Sequence, residues 1–192
     1  MSDLRLRIFL NDHLSGAVAA VELAKRTRDE NDDENALYHF LDTLADDFEH
    51  DRETIEDLLD RIDEPQNPIK IGAAYLAERT GRFKPNDQLT GYSPLSRLVE
   101  LEGLLFMLEG FRVLWSTLAV VAEDDDRIDD YDFDERVRRV QRRQHRLDAF
   151  RERAVRIAFL DEDDDFEDVP GTGSVRTVEQ EGEVRMIVVE KG

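Results

Sequence analysis

The sequence predicts an all-α fold, a four-helix bundle, and three observations carry that prediction. Four long segments repeat apolar residues at the period of a helix. One of them, about Ala36 to Ile62, carries Leu37, Leu41, Leu44, Phe48, Ile55, Leu59 and Ile62, a near-heptad stripe. Two of the three connections between the long segments are short, which folds each joined pair antiparallel.

The first helix is expected from about Leu4 to Arg28, and the polar run Asp29 to Asn35 turns the chain into the second. Pro65 and Pro68 stop the second helix. A short amphipathic helix is expected over about Pro68 to Thr80, with Ile71, Ala74, Tyr75 and Ala77 on one side and Gly81 after it. Residues 82–92 read as extended chain. Ser93 and Pro94 form an N-cap and a first-turn proline. The third long helix runs from there to about Ala122, is apolar on most sides, and is expected to be the most buried. Trp115, Phe106 and Met107 belong to that expected core. After the acidic loop Glu123 to Asp132, the fourth helix is expected over about Phe133 to Leu160.

The bundle domain is therefore placed at residues 1–160, and an acidic C-terminal tail at 161–192. The run Asp161 to Asp165 reads as a solvated linker. Val175 to Gln180 and Glu183 to Glu190 flank Glu181 and Gly182 like a small hairpin, a structure that is marginal in isolation. The connection between the second and third long helices spans roughly 30 residues, enough to return along the bundle and set those two helices parallel; the alternative is that its short helix packs on one end of the bundle. One long crossover containing a short helix is the ferritin-like topology.

Composition bounds the partners. The chain has 46 acidic against 26 basic residues and a net charge of -20. Such a surface repels nucleic acid and anionic lipid, so neither is expected as a partner. Lysine is confined to Lys25, Lys70, Lys84 and Lys191, which suits a high-salt host and equally an arginine-biased genome. There is no cysteine, so disulfides, thiolate catalysis and zinc-thiolate sites are excluded. The first residues interleave charge with apolar groups, unlike a signal peptide. Apolar runs such as Leu104 to Leu108 are too short to span a bilayer. A cytoplasmic location is the expectation.

Polar residues on apolar stripes are the informative ones. Projected at about 100° per residue, His13 falls among Leu6, Phe9, Ala17, Ala20 and Ala24. Asp51 interrupts the second stripe between Phe48 and Ile55. Glu102 and Glu109 lie two turns apart beside Leu95, Leu98, Leu105, Phe106 and Val113. Gln144, Asp148 and Arg151 line up with Val137, Val140, Ala154, Val155 and Ala158. Reflecting the helices through their turns brings His13, Asp51, Glu109 and Asp148 to one level, one from each helix, with Glu102 a layer away. A bundle core can hold iron or manganese with such inward carboxylates and imidazole, so these five residues are the candidate metal ligands. The competing reading is a buried network in which Arg52, Arg112 and Arg151 neutralise the carboxylates and fix register without metal. Asp47 with His50, His145 with Asp148, His39 and Glu22 read as solvated faces. No glycine-rich phosphate loop, nucleophile elbow or serine-histidine-aspartate pattern is present, and no small-molecule substrate is identifiable.

Two stretches carry a resemblance: Leu10 to Ala24 (LNDHLSGAVAAVELA) and Gly91 to Gly110 (GYSPLSRLVELEGLLFMLEG). They resemble an uncharacterised bacterial family of ferritin-like four-helix-bundle proteins, and the likeness covers roughly residues 4–160. It implies the fold and carries no established activity. Active ferritin-like di-iron proteins typically carry Glu-x-x-His on two helices. Neither the second nor the fourth long helix has one, so a single-metal site, or a relic site filled by hydrogen bonds, fits better. Three functions follow as expectations: a metal-binding bundle, a non-catalytic structural or interaction module, and, third, an enzyme using paired carboxylates as acid and base, for which the sequence supplies no substrate pocket. The second allows a homo-oligomer, because Ser96, Glu100, Gly103 and Gly110 would permit close approach between protomers.

Overall fold

The computed structural model describes residues 3–31, 35–63, 92–160, 162–166, 169, 175–180 and 183–188. Among them are four long helices: α1 (Asp3–Asp29), α2 (Ala36–Asp63), α3 (Pro94–Ala122) and α4 (Phe133–Phe159). Two strands follow, β1 (Val175–Gln180) and β2 (Glu183–Val188), paired antiparallel with Val175 opposite Val188 and Gln180 opposite Glu183. The all-α bundle expected from periodicity is present. The short helix expected over about Pro68 to Thr80, and the extended stretch up to Gly91, lie outside the described residues.

Local chemistry fixes the helix starts. The Asn35 side chain accepts from the Tyr38 N–H at 2.9 Å and begins α2. Ser93 accepts from the Ser96 N–H at 3.1 Å, with Pro94 in the first turn, and begins α3. Asp132 accepts from the Glu135 N–H at 2.8 Å and begins α4. Asp3 in the first turn of α1 and Arg26 and Arg28 in its last complement the helix dipole.

The helices pack α1 on α2, α3 on α4 and α1 on α3. Their directions follow from cross-helix contacts. Arg26 near the end of α1 bonds Glu100 near the start of α3 at 2.9 Å, so these two run antiparallel. Arg61 near the end of α2 bonds Asp130, just ahead of α4, at 2.6 Å. Phe48 of α2 stacks on Phe111 of α3 at 5.3 Å. Because α1 ends where α2 begins and beside the start of α3, α2 and α3 run the same way.

Leu10, Ala17, Ala20 and Ala24 of α1 face the core, the small residues allowing close approach. From α2 come Leu37, Leu41, Leu44, Phe48, Ile55 and Leu58. Aromatic rings continue through the centre: Phe111 against Trp115 at 6.4 Å, Trp115 against Phe133 at 6.2 Å, and Phe40 against Phe150 at 5.1 Å. The loop after α3 is clasped by Asp125, which accepts from Arg127, while Arg127 reaches Asp3 at 2.9 Å; Ile128 plugs that end of the core.

Two expectations need correction. Residues 162–166 are not a free linker. Phe166 is buried against Phe150, with the Arg97 guanidinium over its ring at 5.1 Å, and Val169 is buried too. Arg97 also pairs with Asp164, and Arg153 donates to the carbonyls of Asp163 and Asp165 at 2.9 and 2.8 Å. The core thus extends beyond residue 160, because one aromatic residue follows the acidic run. The second correction concerns α3. Its inward face is Leu98, Leu101, Leu104, Leu108, Phe111, Leu114, Trp115 and Leu118. Phe106 is not core: it is 79% exposed, and Leu95, Val99, Val113 and Val120 are exposed on the same side. A helix apolar all round gives no phase to a periodicity argument, and the reading chose the wrong side.

Candidate functional site

The only candidate ligand that is fully buried is Asp51, 3% exposed. It sits on the core stripe of α2, where burial is set by Phe48 and Ile55 on either side. Its Oδ2 accepts from Arg143 Nη1 at 2.6 Å, and its Oδ1 lies 3.5 Å from Arg136 Nη1. Both arginines are on α4, seven residues apart and hence on one face, with buried Val140 between them. Arg143 also bonds Asp47 through Nε at 2.8 Å. Arg136 lies over Trp115 at 5.0 Å and over Tyr131 at 5.9 Å, and Tyr131 donates to Asp57 while Arg61 covers its ring at 4.6 Å. A chain of charge and aromatic contact therefore runs from α2 through α4 to α3 and the loop.

Electrostatics here is a balance. Burial pushes the Asp51 carboxyl up, and Arg143 and Arg136 oppose that shift. Burial also lowers Arg136, with Asp51 acting in the other direction. The cluster is a paired, hydrogen-bonded set in which each charge offsets the desolvation of another.

The other four candidates do not join it. Glu109 is exposed on the outer side of α3, where Arg112 grips it at 2.6 and 2.8 Å and Gln144 donates to it at 3.1 Å. These bonds hold its carboxyl down at about 2. Glu102 is exposed on the same side. Asp148 is half-exposed and bonded to Arg151 at 2.6 Å. His13 is half-buried at the edge of α1, edge-on to Phe9 at 4.6 Å, and burial lowers its imidazole. Among the described residues, no three or more His, Asp or Glu side chains are grouped to hold a metal ion. The donor chemistry agrees: a cation at Asp51 would face two guanidiniums.

Of the layer expected from the helix projections, Asp51 faces the core and Glu109 faces outward. Glu109 is level with Gln144, one turn short of the expected Asp148. The network reading named Arg112 and Arg151, which do pair with Glu109 and Asp148, but at the surface. Arg52 instead pairs with Glu49 and Glu56 on its own helix. The partners that matter, Arg136 and Arg143, were missed. Their i and i+7 spacing around Val140, opposite a buried aspartate, is the signal that could have found them.

A second polar cluster closes the other end of the bundle. Arg97 is buried between the Phe166 ring and the Tyr92 ring, the latter at 5.5 Å. Asn31 donates to the Tyr92 hydroxyl at 3.4 Å, and burial raises the Tyr92 phenol. This cluster fastens the α1–α2 turn, the start of α3 and the 162–169 segment together.

Comparison with protein-family models, with curated proteins and with solved structures returns no significant match to the chain.

Proposed function

We propose that this chain is a ferritin-like bundle acting as a non-catalytic structural or interaction module, with an aspartate–arginine cluster in the interior position a metal centre would take. The observation that carries this reading is Asp51, buried and held by Arg143 at 2.6 Å with Arg136 at 3.5 Å. The parallel course of α2 and α3 supports the ferritin-like connection, since α2 ends at one end of the bundle and α3 begins at the other. The absence of Glu-x-x-His from α2 and α4 supports a bundle without a di-iron centre.

The competing reading, a bundle binding iron or manganese, is separated by a thermal-shift experiment. A ligand bound by the folded state alone raises the melting temperature. Protein purified without chelator is expected to contain no stoichiometric iron, manganese or zinc, and to melt at the same temperature when these ions are added. A metal-dependent rise that Asp51→Asn abolishes would overturn the proposal.

A further inference from the structure

The outer face of α3 carries a line of exposed apolar side chains, and among the described residues its one side-chain bond to another helix is Gln144 of α4 donating to Glu109 at 3.1 Å. Val99, Phe106, Val113 and Val120 recur every seven residues, and Leu95 continues the line. Glu102, Glu109 and the half-buried Ser116 lie between them, so the face alternates in steps of three and four, the spacing of a coiled-coil seam, with a polar residue at every second position. These apolar side chains together expose on the order of 500 Å², at the upper end of what a soluble monomer presents in one patch.

The face is not featureless. A shallow hollow is lined by Arg112, Val113, Ser116, Thr117, Val120 and Val121. Val113, Ser116, Thr117 and Val120 are related as i, i+3, i+4 and i+7, which is the four-residue hole that receives one knob from a facing helix. Among the described residues the most exposed large apolar side chain is Phe106, two turns away on the same face.

The geometry points to a second copy of this chain as the occupant, with α3 packed antiparallel on its partner's α3 about a two-fold axis near Gly110 to Arg112. In that arrangement Phe106 of each copy enters the hollow of the other. Glu109 of one copy comes level with Arg112 of the next, and the converse pair forms on the other side of the axis. Unlike charges therefore meet twice, and an isologous interface is satisfied by one surface patch. Gly110 lies at the axis, and a Cβ built there meets nothing within 4 Å, so the backbones can approach closely. Gly103, by contrast, packs on Leu23 of α1 at 3.2 Å, and Glu100 is engaged by Arg26, so neither belongs to this seam. Pairing two apolar faces of this size would bury on the order of 1,000 Å² of apolar surface, the threshold of a biological interface and the size of a weak, reversible one.

A bilayer is the rival occupant, because α3 is long and apolar enough to cross one. The inward side of α3 is already packed on α1 and α4, and Arg97 and Glu100 on it are held in ion pairs. A surface of charge -20 also disfavours anionic lipid. The dimer specifies the partner in the interaction reading and rests on it, yet does not involve Asp51, so the two fail separately.

The full chain is to be followed by sedimentation equilibrium from micromolar to hundreds of micromolar, at low and at molar salt. A monomer–dimer equilibrium is expected, tighter at high salt because screening relieves the repulsion between two acidic copies. Phe106→Lys should weaken it by about a hundredfold or more, with unchanged helical circular dichroism. Since the chain has no cysteine, single cysteines test the register. Gly110→Cys should cross-link to a dimer on mild oxidation and Val99→Cys should not. A monomer under all conditions would overturn the proposal, as would efficient cross-linking through Val99→Cys, which marks a parallel pair. So would a monomer that floats with phosphatidylcholine vesicles through Phe106.

Discussion

Asp51 holds its charge inside a helical core only because α4 brings two guanidiniums to it. Removing Asp51 takes from buried Arg136 its carboxylate and leaves Arg143 with Asp47 alone, which costs more than the set contributes. Asp51→Ala is therefore expected to destabilise the protein by about 3–5 kcal/mol. Asp51→Leu combined with Arg143→Met and Arg136→Met should recover most of that loss, because an apolar cluster of similar volume carries no desolvation cost. Urea unfolding of the variants checks both, and additive losses in the combined variant would contradict the cluster. A second expectation concerns surface carboxylates. Glu109 and Glu135 are each held at about 2 by hydrogen-bonded neighbours, Glu109 by Arg112 and Gln144, Glu135 by Arg142, Arg138 and Arg139. Their folded values lie below the ordinary 4.5, so their stabilisation is complete above that pH and is lost as pH falls through about 2. Carboxyl resonances titrating at the ordinary value would show these pairs to be open in solution.

At the scale of elements, the segment after α4 matters more than its charge suggests. Phe166 is clamped by Phe150 from α4 and Arg97 from α3. Phe166→Ala is expected to cost about 3–5 kcal/mol, measured by the same unfolding transition. A loss near zero would mean the segment is undocked. Helix existence was legible in the sequence because periodicity, Ser93 with Pro94, and the heptad of α2 agree with one another. Asp51 was legible for the same reason, as a lone charge on a stripe with an unambiguous phase. The inward side of α3 was not legible, since its apolar residues surround it and either side satisfies the pattern. That error carried Glu102 and Glu109 inward on paper. On α4 the stripe was read one step off, which hid Arg136 and Arg143 behind Asp148. The docking of Phe166 was masked by the aspartates before it.

Across the described residues, the exposed apolar side chains include Leu95, Val99, Phe106, Val113 and Val120 of α3, set in a chain of strongly acidic composition. The net charge of -20 would hold copies apart, while the α3 face would draw them together. The association predicted above should for that reason answer to ionic strength, and a dimer that salt dissolves would contradict its apolar seam. The ends of the bundle are fastened by different means, one by the Arg127 clasp between Asp125 and Asp3, the other by Arg97 beneath Tyr92 and Phe166.

Trp115 is the one tryptophan of the chain, sealed from water between Phe111 and Phe133 with Arg136 over its ring. Its indole stands where α3, α4 and the charged cluster meet. Nature has thus supplied an unlabelled optical probe at the junction whose loosening every substitution of Asp51, Arg136 or Arg143 would have to pass through.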